Sequence, residues 1–444
     1  MRVLKFGGTS VGKPQRMHEV AQLINDGHTK IVVLSAVSGT TNSLVALANS
    51  FQLGKDQQAL QQIGTLEAHY EAFVQELYSS ESALAKAQNL LSEKFSLLRK
   101  FSSESFTDSD ELIILAQGEL ISTHLFHFYC EEQGIETVLL PALEFMRTEK
   151  GEPDLRFIAK ALANTLRSHL SSKLYITQGY ICRNEFGQIG NLQRGGSDYS
   201  ASLIGAAIAA EEIQIWTDID GFHNNDPRFV KPTYPIEKLS FDEAAELAYF
   251  GAKILHPASV LPAQKANIPV RLKNTMEPEA KGTIISLETN ATKNKVKAVA
   301  AKDGITAIRI RSSRMLLAYG FLKKVFEVFE KHKTPIDMIT TSEVAVSLTI
   351  DDDRHLAAIE KELKKYAHIE IENQQTIVCV VGEFTHEEPG LVLQVLECLR
   401  DVPLRMISSG GSEHNVSVLV NTDLKQKVLQ ALNEGLFLPN KVEV

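Results

Sequence analysis

KIVVLSAVSGTTN, Lys30 to Asn42, decides the fold class. Its first half is an unbroken apolar run rich in β-branched residues, and its second half turns small and polar, with hydroxyls at Ser35, Ser38, Thr40 and Thr41. A strand with one wet face would alternate apolar and polar positions, whereas an unbroken run reads as a strand covered on both faces. The same signature recurs in MRVLKF (Met1–Phe6), KLYITQGYI (Lys173–Ile181) and EIQIWTDI (Glu212–Ile219), with amphipathic helical segments between them. This alternation predicts an α/β architecture of three layers, a mostly parallel central sheet with helices on both faces. From Phe51 to about Lys100 the strands disappear and charged helical sequence takes over, which predicts a helical excursion.

With 444 residues the chain is longer than a single domain usually is, so two or three domains are expected. A formal net charge of −9 argues against a nucleic-acid-binding role, which calls for a basic surface. The cysteines, Cys130, Cys182, Cys379 and Cys398, form no C-x-x-C pair and suit a reducing compartment. MRVLKF runs straight into glycines without a signal-type apolar core, and no stretch has the roughly 20 apolar residues of a membrane span. The expectation is a cytoplasmic protein.

Beyond the polar stretch ETNATKNK (Glu288–Lys295) the chain repeats itself. PIDMITTS (Pro335–Ser342) resembles PLRMISSG (Pro403–Gly410), and VSLTI at Val346 resembles VSVLV at Val416. Each copy reads β-α-β-β-α-β, a ferredoxin-like α+β unit. The expected division is 1–290 for the α/β domain, then 303–373 and 374–444 for the two small units, with KVEV (Lys441–Val444) as a last short strand.

Several polar clusters follow the strands. KFGGTSVGKP (Lys5–Pro14) nearly fits the P-loop pattern, but Pro14 stands where a magnesium-binding hydroxyl is required. Lys5 is the better phosphate candidate, with Gly7 and Gly8 letting backbone amides approach oxygen atoms. In LQRGGSDYSA (Leu192–Ala201) a cation and an anion bracket two glycines at the mouth of a helix. TDIDGFHNNDPR (Thr217–Arg228) and FGAKILHP (Phe250–Pro257) add acidic residues, Arg228 and Lys253. Loops at the carboxyl ends of parallel strands are where open α/β sheets bind ligands. His124 and His127 share a helical face, yet no third ligand accompanies them and a metal pair is not expected.

Together, KFGGTS, LSAVSGTTN, QGEL followed by Ser122, RGGSDYSA, WTDIDGF with DPR, FGAKILHP and ITTSEV resemble the aspartate kinases of the amino acid kinase family, along essentially the whole chain. The paired small units resemble the ACT domains of that family. The resemblance implies transfer of the γ-phosphoryl group of ATP, with Mg2+, to the β-carboxylate of L-aspartate. It assigns catalysis to Lys5, Gly8 and Asp198, the last orienting Lys5 or helping to place magnesium. Substrate contacts would be Thr41, Glu119, Arg194, Gly195, Gly196 and Ser197. Lys5, Gly7, Thr217, Asp218, His223, Arg228, Lys253 and Ile254 would serve the nucleotide. Gln193 and His223 depart from residues common in relatives.

ITTSEV is most similar to lysine-inhibited members, which makes Met315, Phe321, Leu322, Asp337, Thr341, Ser342, Glu343 and Val344 candidate effector contacts. Either Asp337 or Glu343 would pair with an ammonium, and Ala318 departs from a serine of some relatives. A monofunctional enzyme is expected, forming a homodimer or larger homo-oligomer through its ACT-like sheets. The rival expectations are a sister kinase acting on acetylglutamate, glutamate or UMP, and a catalytically idle amino-acid sensor.

Overall fold

The computed structural model describes residues 1–103, 105–193, 195–252, 254–287, 295–312, 319–385 and 390–438. Arg194, Lys253, Met315, Ala318 and the KVEV segment lie outside the described residues.

The chain forms two compact units, one of residues 1–222 and 255–288, the other of residues 223–254 and 289–444. In the first, β1 (Arg2–Phe6), β2 (Lys30–Leu34), β3 (Val138–Leu140), β4 (Leu174–Gln178), β5 (Ile213–Thr217), β6 (Val270–Asn274) and β7 (Thr283–Ser286) form a sheet in the order β7-β6-β5-β1-β2-β4-β3. All neighbours are parallel except β6 and β7. Every residue of β2 and β4 is buried, as unbroken apolar runs require. Because β1 lies between β2 and β5, the connection from β1 to β2 and the later one from β4 to β5 end on opposite sides of it, and the crevice beyond its carboxyl end is where such sheets bind ligands.

The longer helices of this unit are α1 (Pro14–Ile24), α2 (Thr40–Gln52), α3 (Asp56–Leu77), α4 (Glu81–Lys100), α5 (Asp108–Glu132), α6 (Leu155–Arg167) and α7 (Gly196–Ile208). The segment expected as an excursion is part of the main core. Ile63, Tyr70 and Phe73 of α3 and Leu91, Phe95 and Leu98 of α4 share one apolar cluster with Leu4 and Phe6 of β1 and Val32 of β2. Apolar residues spaced one helical turn apart give each helix the buried stripe that makes this possible.

The second unit contains α8 (Phe241–Tyr249), opened by a capping box in which Ser240 and Glu243 exchange hydrogen bonds of 3.0 and 2.8 Å. Its sheet is built from β8 (Val296–Arg311), β9 (Ile339–Thr341), β10 (Ala345–Ile350), β11 (His368–Gly382), β12 (Met406–Ser409) and β13 (Asn415–Asn421), in the order β9-β10-β8-β11-β13-β12. Helices α9 (Phe321–Lys331), α10 (Leu356–Leu363), α11 (Leu391–Cys398) and α12 (Lys425–Leu436) accompany it. Two apolar clusters mark the repeated halves, one around Ile308, Phe329 and Leu348, the other around Val380, Val418 and Leu429.

The expected linear division differs from this arrangement in two ways. Positions 303 and 374 fall inside the continuous strands β8 and β11, because Val296–Lys302 pairs with Ile377–Gly382 and the first half of β8 serves the second repeat. Residues 223–254 belong with the second unit although they lie within the range expected for the α/β domain. Val230 joins the apolar cluster of Val395, Val418 and Leu429, and buried amides fix the rest. The Asn224 backbone carbonyl accepts from the Val299 amide at 2.8 Å, the Asn225 side chain donates to the Leu429 carbonyl at 3.1 Å, and both asparagine side chains approach Asn433 Oδ1 at 3.4 Å.

Candidate active site

Lys5 is the next-to-last residue of β1, and its strand direction carries the ammonium to the carboxyl end of the sheet. There Lys5 Nζ meets Asp198 Oδ1 at 2.6 Å, with each side chain only 12% exposed. Asp198 lies in the first turn of α7, where the helix dipole favours a negative charge. Gly195 caps that helix with φ of 73°, and a Cβ there would lie 2.8 Å from His256 Cβ. Only glycine meets both demands. Gly196 begins α7, and Ser197 packs against Gly179 beyond β4.

Glu119 comes from the middle of α5 and is 3% exposed. Its Oε1 accepts the Ala36 amide at 3.3 Å, while Oε2 is buried and has no partner among the described residues. Burial pushes the carboxyl pKa up to about 8, against the pull of the Ala36 amide and of the Lys5 charge. A buried carboxylate with an open oxygen is a receptor for a cation. Thr41 lies exposed in the first turn of α2, after Gly39, whose φ of 84° leaves the helix start without a side-chain cap.

The glycine loop holds one surprise. The Gly7 amide donates to the Trp216 carbonyl at 3.2 Å and extends the β1–β5 ladder, so it is committed rather than open to a phosphate. Gly8 follows, and Ser10 secures the loop through Thr275, the two hydroxyls 2.7 Å apart. Thr217 ends β5 and donates to exposed Asp218 at 3.0 Å. Sequence reasoning missed Ser10 and Thr275, which lie far apart in the chain.

His223, Arg228 and Ile254 belong to the second unit. His223 Nδ1 is 3.3 Å from Thr233 Oγ1. Arg228 forks onto Asp226 at 2.7 and 2.9 Å with its side chain 78% exposed, and Ile254 donates its amide to the Ala252 carbonyl at 2.7 Å.

Among the effector candidates, Phe321 opens α9 and is buried, and Leu322 is partly exposed. Thr341, Ser342, Glu343 and Val344 are exposed around the turn between β9 and β10, closed by Ser342 N donating to the Ala345 carbonyl at 2.8 Å. Asp337 is different: its side chain is 1% exposed and already holds an ammonium, that of Lys302 at 2.9 Å. Lys302 also reaches Asp351 at 2.8 Å, and the Tyr249 hydroxyl donates to Asp337 Oδ1 at 2.8 Å. Asp337 Oδ2 has no partner among the described residues. No group of three His, Cys, Asp or Glu side chains placed for a metal ion occurs among the described residues, and His124 and His127 bond separately to Leu120 and Thr137. No described helix is long and apolar enough to cross a membrane.

A mostly parallel α/β sheet with a lysine, a helix-borne aspartate and a buried glutamate beyond its strands, followed by tandem ferredoxin-like units, defines the class: a ligand-binding α/β domain joined to a paired α+β module. Residues 1–274 match the amino acid kinase family, and residues 378–436 match the ACT domain. The lysine-sensitive aspartokinase 3 of Escherichia coli K12 is 34% identical over 98% of this chain and 99% of its own. The crystal structure of E. coli aspartokinase III with lysine and aspartate superposes with a TM-score of 0.84 at 33% identity, covering 99% of this chain and 100% of that one. The same enzyme with aspartate and ADP gives a TM-score of 0.82 at 33% identity, with the same coverage. The chain belongs to the amino acid kinase family and, within it, to the aspartokinases.

Proposed function

We propose that the protein is an aspartate kinase that makes 4-phospho-L-aspartate and ADP from L-aspartate and ATP, the first step toward lysine, threonine and methionine. A β-carboxylate oxygen attacks the γ-phosphorus, and the bond to the β,γ-bridging oxygen breaks with its electron pair leaving on ADP. A carboxyl with a reference pKa of about 3.9 is already ionised at neutral pH, so no general base is required. The task is to bring two anions together and neutralise transition-state charge. In this reading Lys5, oriented by Asp198, faces the phosphates, Glu119 takes the substrate ammonium, and Arg194 takes its α-carboxylate. Thr41, Gly195, Gly196 and Ser197 shape the amino-acid cradle. Gly7 acts by turn geometry, Gly8 by backbone approach, and Thr217, Asp218, His223, Arg228, Lys253 and Ile254 serve the nucleotide.

One arrangement carries the reading: a buried ammonium pinned to a helix start at 2.6 Å, acting on a buried carboxylate that keeps one oxygen open. Magnesium enters with ATP. Asp198 is committed to Lys5, which fits an ion held mostly by phosphates and water. We further assign lysine as inhibitor, a homodimer formed through the edge strands of the ACT-like sheet, and a cytoplasmic location in keeping with four free cysteines.

The test is ADP release with aspartate, acetylglutamate, glutamate or UMP as acceptor, repeated with lysine, threonine or methionine added. Turnover with aspartate alone is expected. Turnover with another acceptor instead would replace the assignment with a sister kinase, and amino-acid binding without any turnover would mark an idle sensor.

A further inference from the structure

The loop between β2 and α2 is clamped at both ends by helices that lie outside it in sequence. At Ala36 the clamp is Glu119 of α5, accepting the backbone amide at 3.3 Å. At Thr40 it is Tyr70 of α3, whose hydroxyl lies 2.8 Å from Thr40 Oγ1. Tyr70 is 0% exposed and Thr40 1%. Tyr70 sits among Phe73 and Phe95, where a phenylalanine would pack without burying a hydroxyl. A buried hydroxyl costs stability unless it is bonded, and among the described residues this one is bonded to Thr40 alone, where the loop meets α2.

Thr40 is the first residue of α2, a position where threonine commonly turns its hydroxyl toward local backbone. Here the hydroxyl points inward to Tyr70, and Thr41 is left exposed at the helix start. Gly118 makes the close packing possible, since a Cβ there would lie 2.8 Å from Ala36 Cβ and 3.4 Å from Thr40 Cγ2. The long α3–α4 segment, which the catalytic reading leaves without a task, thus sends one hydroxyl beneath this loop.

We propose that Tyr70 is a positioning residue for the amino-acid substrate: through Thr40 it fixes the first turn of α2, and with it Thr41, where aspartate binds. The inference rests on the aspartate kinase reading, in particular on Thr41 and Glu119 as substrate contacts. Tyr70 touches no reacting atom, so its effect falls on aspartate binding and not on the chemical step.

Kinetics of the full-length Tyr70→Phe enzyme test this. The expected result is a rise in aspartate KM of about three- to tenfold, the loss of one hydrogen bond, with kcat and ATP KM within about twofold. Thr40→Val should give the same shift, the double variant no further shift, and Thr40→Ser nearly the native KM. A fall in Tm with an unchanged aspartate KM in both single variants would reduce Tyr70 to a packing residue and overturn the proposal. Glu119→Gln separates the two levels. If it raises aspartate KM while Tyr70→Phe and Thr40→Val do not, only the positioning role fails; if it leaves aspartate KM unchanged, the substrate reading fails and the positioning role with it.

Discussion

Lys5 and Glu119 are both withdrawn from water, and they are stabilised differently. Lys5 has a carboxylate at 2.6 Å, whereas Glu119 has one backbone amide and an open oxygen. Replacing Lys5 by alanine should cut kcat by about 10²–10³, the typical worth of one preorganised electrostatic donor, with circular dichroism unchanged. A folded variant with near-native kcat would make Lys5 peripheral. Glu119 predicts a pH dependence. Burial raises its pKa from 4.5 to about 8, so at neutral pH the free site is mostly protonated, and an incoming ammonium stabilises the ionised form. Aspartate binding should therefore release close to one proton at neutral pH, and affinity should rise with pH until about 8. Calorimetry in two buffers of different ionisation enthalpy measures this, and Glu119→Gln should abolish the release. The same shift acts on folding: the protonated carboxyl contributes fully below about 4.5, and that contribution is lost as pH rises through about 8. Lys5, Asp198 and Glu119 were legible in the sequence as candidates, because each sits in a compact local motif, and the roles proposed for them rest on the family resemblance. Tyr70 and the Ser10–Thr275 pair were not, since a side-chain contact between distant segments leaves no local spacing to read.

Four strands of the α/β sheet, β1, β2, β4 and β5, were legible from their apolar runs, and so was the repeat of the small units, whereas β3, β6 and β7 are too short or too interrupted by polar residues to stand out. The sharing of β8 and β11 between repeats was hidden, because polar residues such as Glu372, Asn373 and Gln375 interrupt the apolar pattern where β11 crosses from one repeat to the next. The attachment of residues 223–254 to the second unit was hidden for a similar reason. Asn224 and Asn225 stand in a polar stretch with no apolar pattern to mark burial, yet they are buried together with Asn433 of α12. A buried amide network fixes one geometry and is costly when broken. Asn433 also donates to the Pro232 carbonyl at 3.3 Å, so its removal leaves partners unbonded on two sides and opens a void. Asn433→Ala should destabilise the second unit by about 2–3 kcal/mol, read as a lowered urea midpoint of its transition. Gln430→Ala, on an exposed position of the same helix, should change it by under about 0.5 kcal/mol. Equal midpoints for the two variants would show that the asparagine network carries no stability of its own.

At the scale of the molecule, the candidates for phosphoryl transfer centre on the first unit, while the effector candidates lie in the second. Within that second unit, the regulatory contact we propose is Asp337. Tyr249, at the end of α8, and Lys302, on β8, both bond its Oδ1, and Asp351 shares the Lys302 ammonium. Two carboxylates around one ammonium leave a net negative charge, and Asp337 Oδ2 is open among the described residues. A free lysine ammonium is the right size and sign to complete the group. It would also compete with Tyr249 and Lys302 for the carboxylate and so disturb the end of α8. Such a ligand inhibits only if it binds the inactive arrangement more tightly than the active one, and by linkage the substrates must then weaken lysine binding by the same factor. Asp337→Asn keeps the shape and removes the charge. It should raise the lysine concentration for half-inhibition at least about tenfold, with uninhibited kcat within about twofold, because Asp337 is no part of the proposed phosphoryl-transfer site. Glu343→Gln, run in parallel, decides between the two acidic candidates: a smaller shift is expected, since Glu343 is exposed and its pairing is screened by solvent. Tyr249→Phe should leave lysine binding by calorimetry nearly intact while weakening inhibition, which separates binding from its transmission. Calorimetry showing no lysine binding, together with full activity at millimolar lysine, would remove lysine as the effector and leave this half-neutralised carboxylate to another cation.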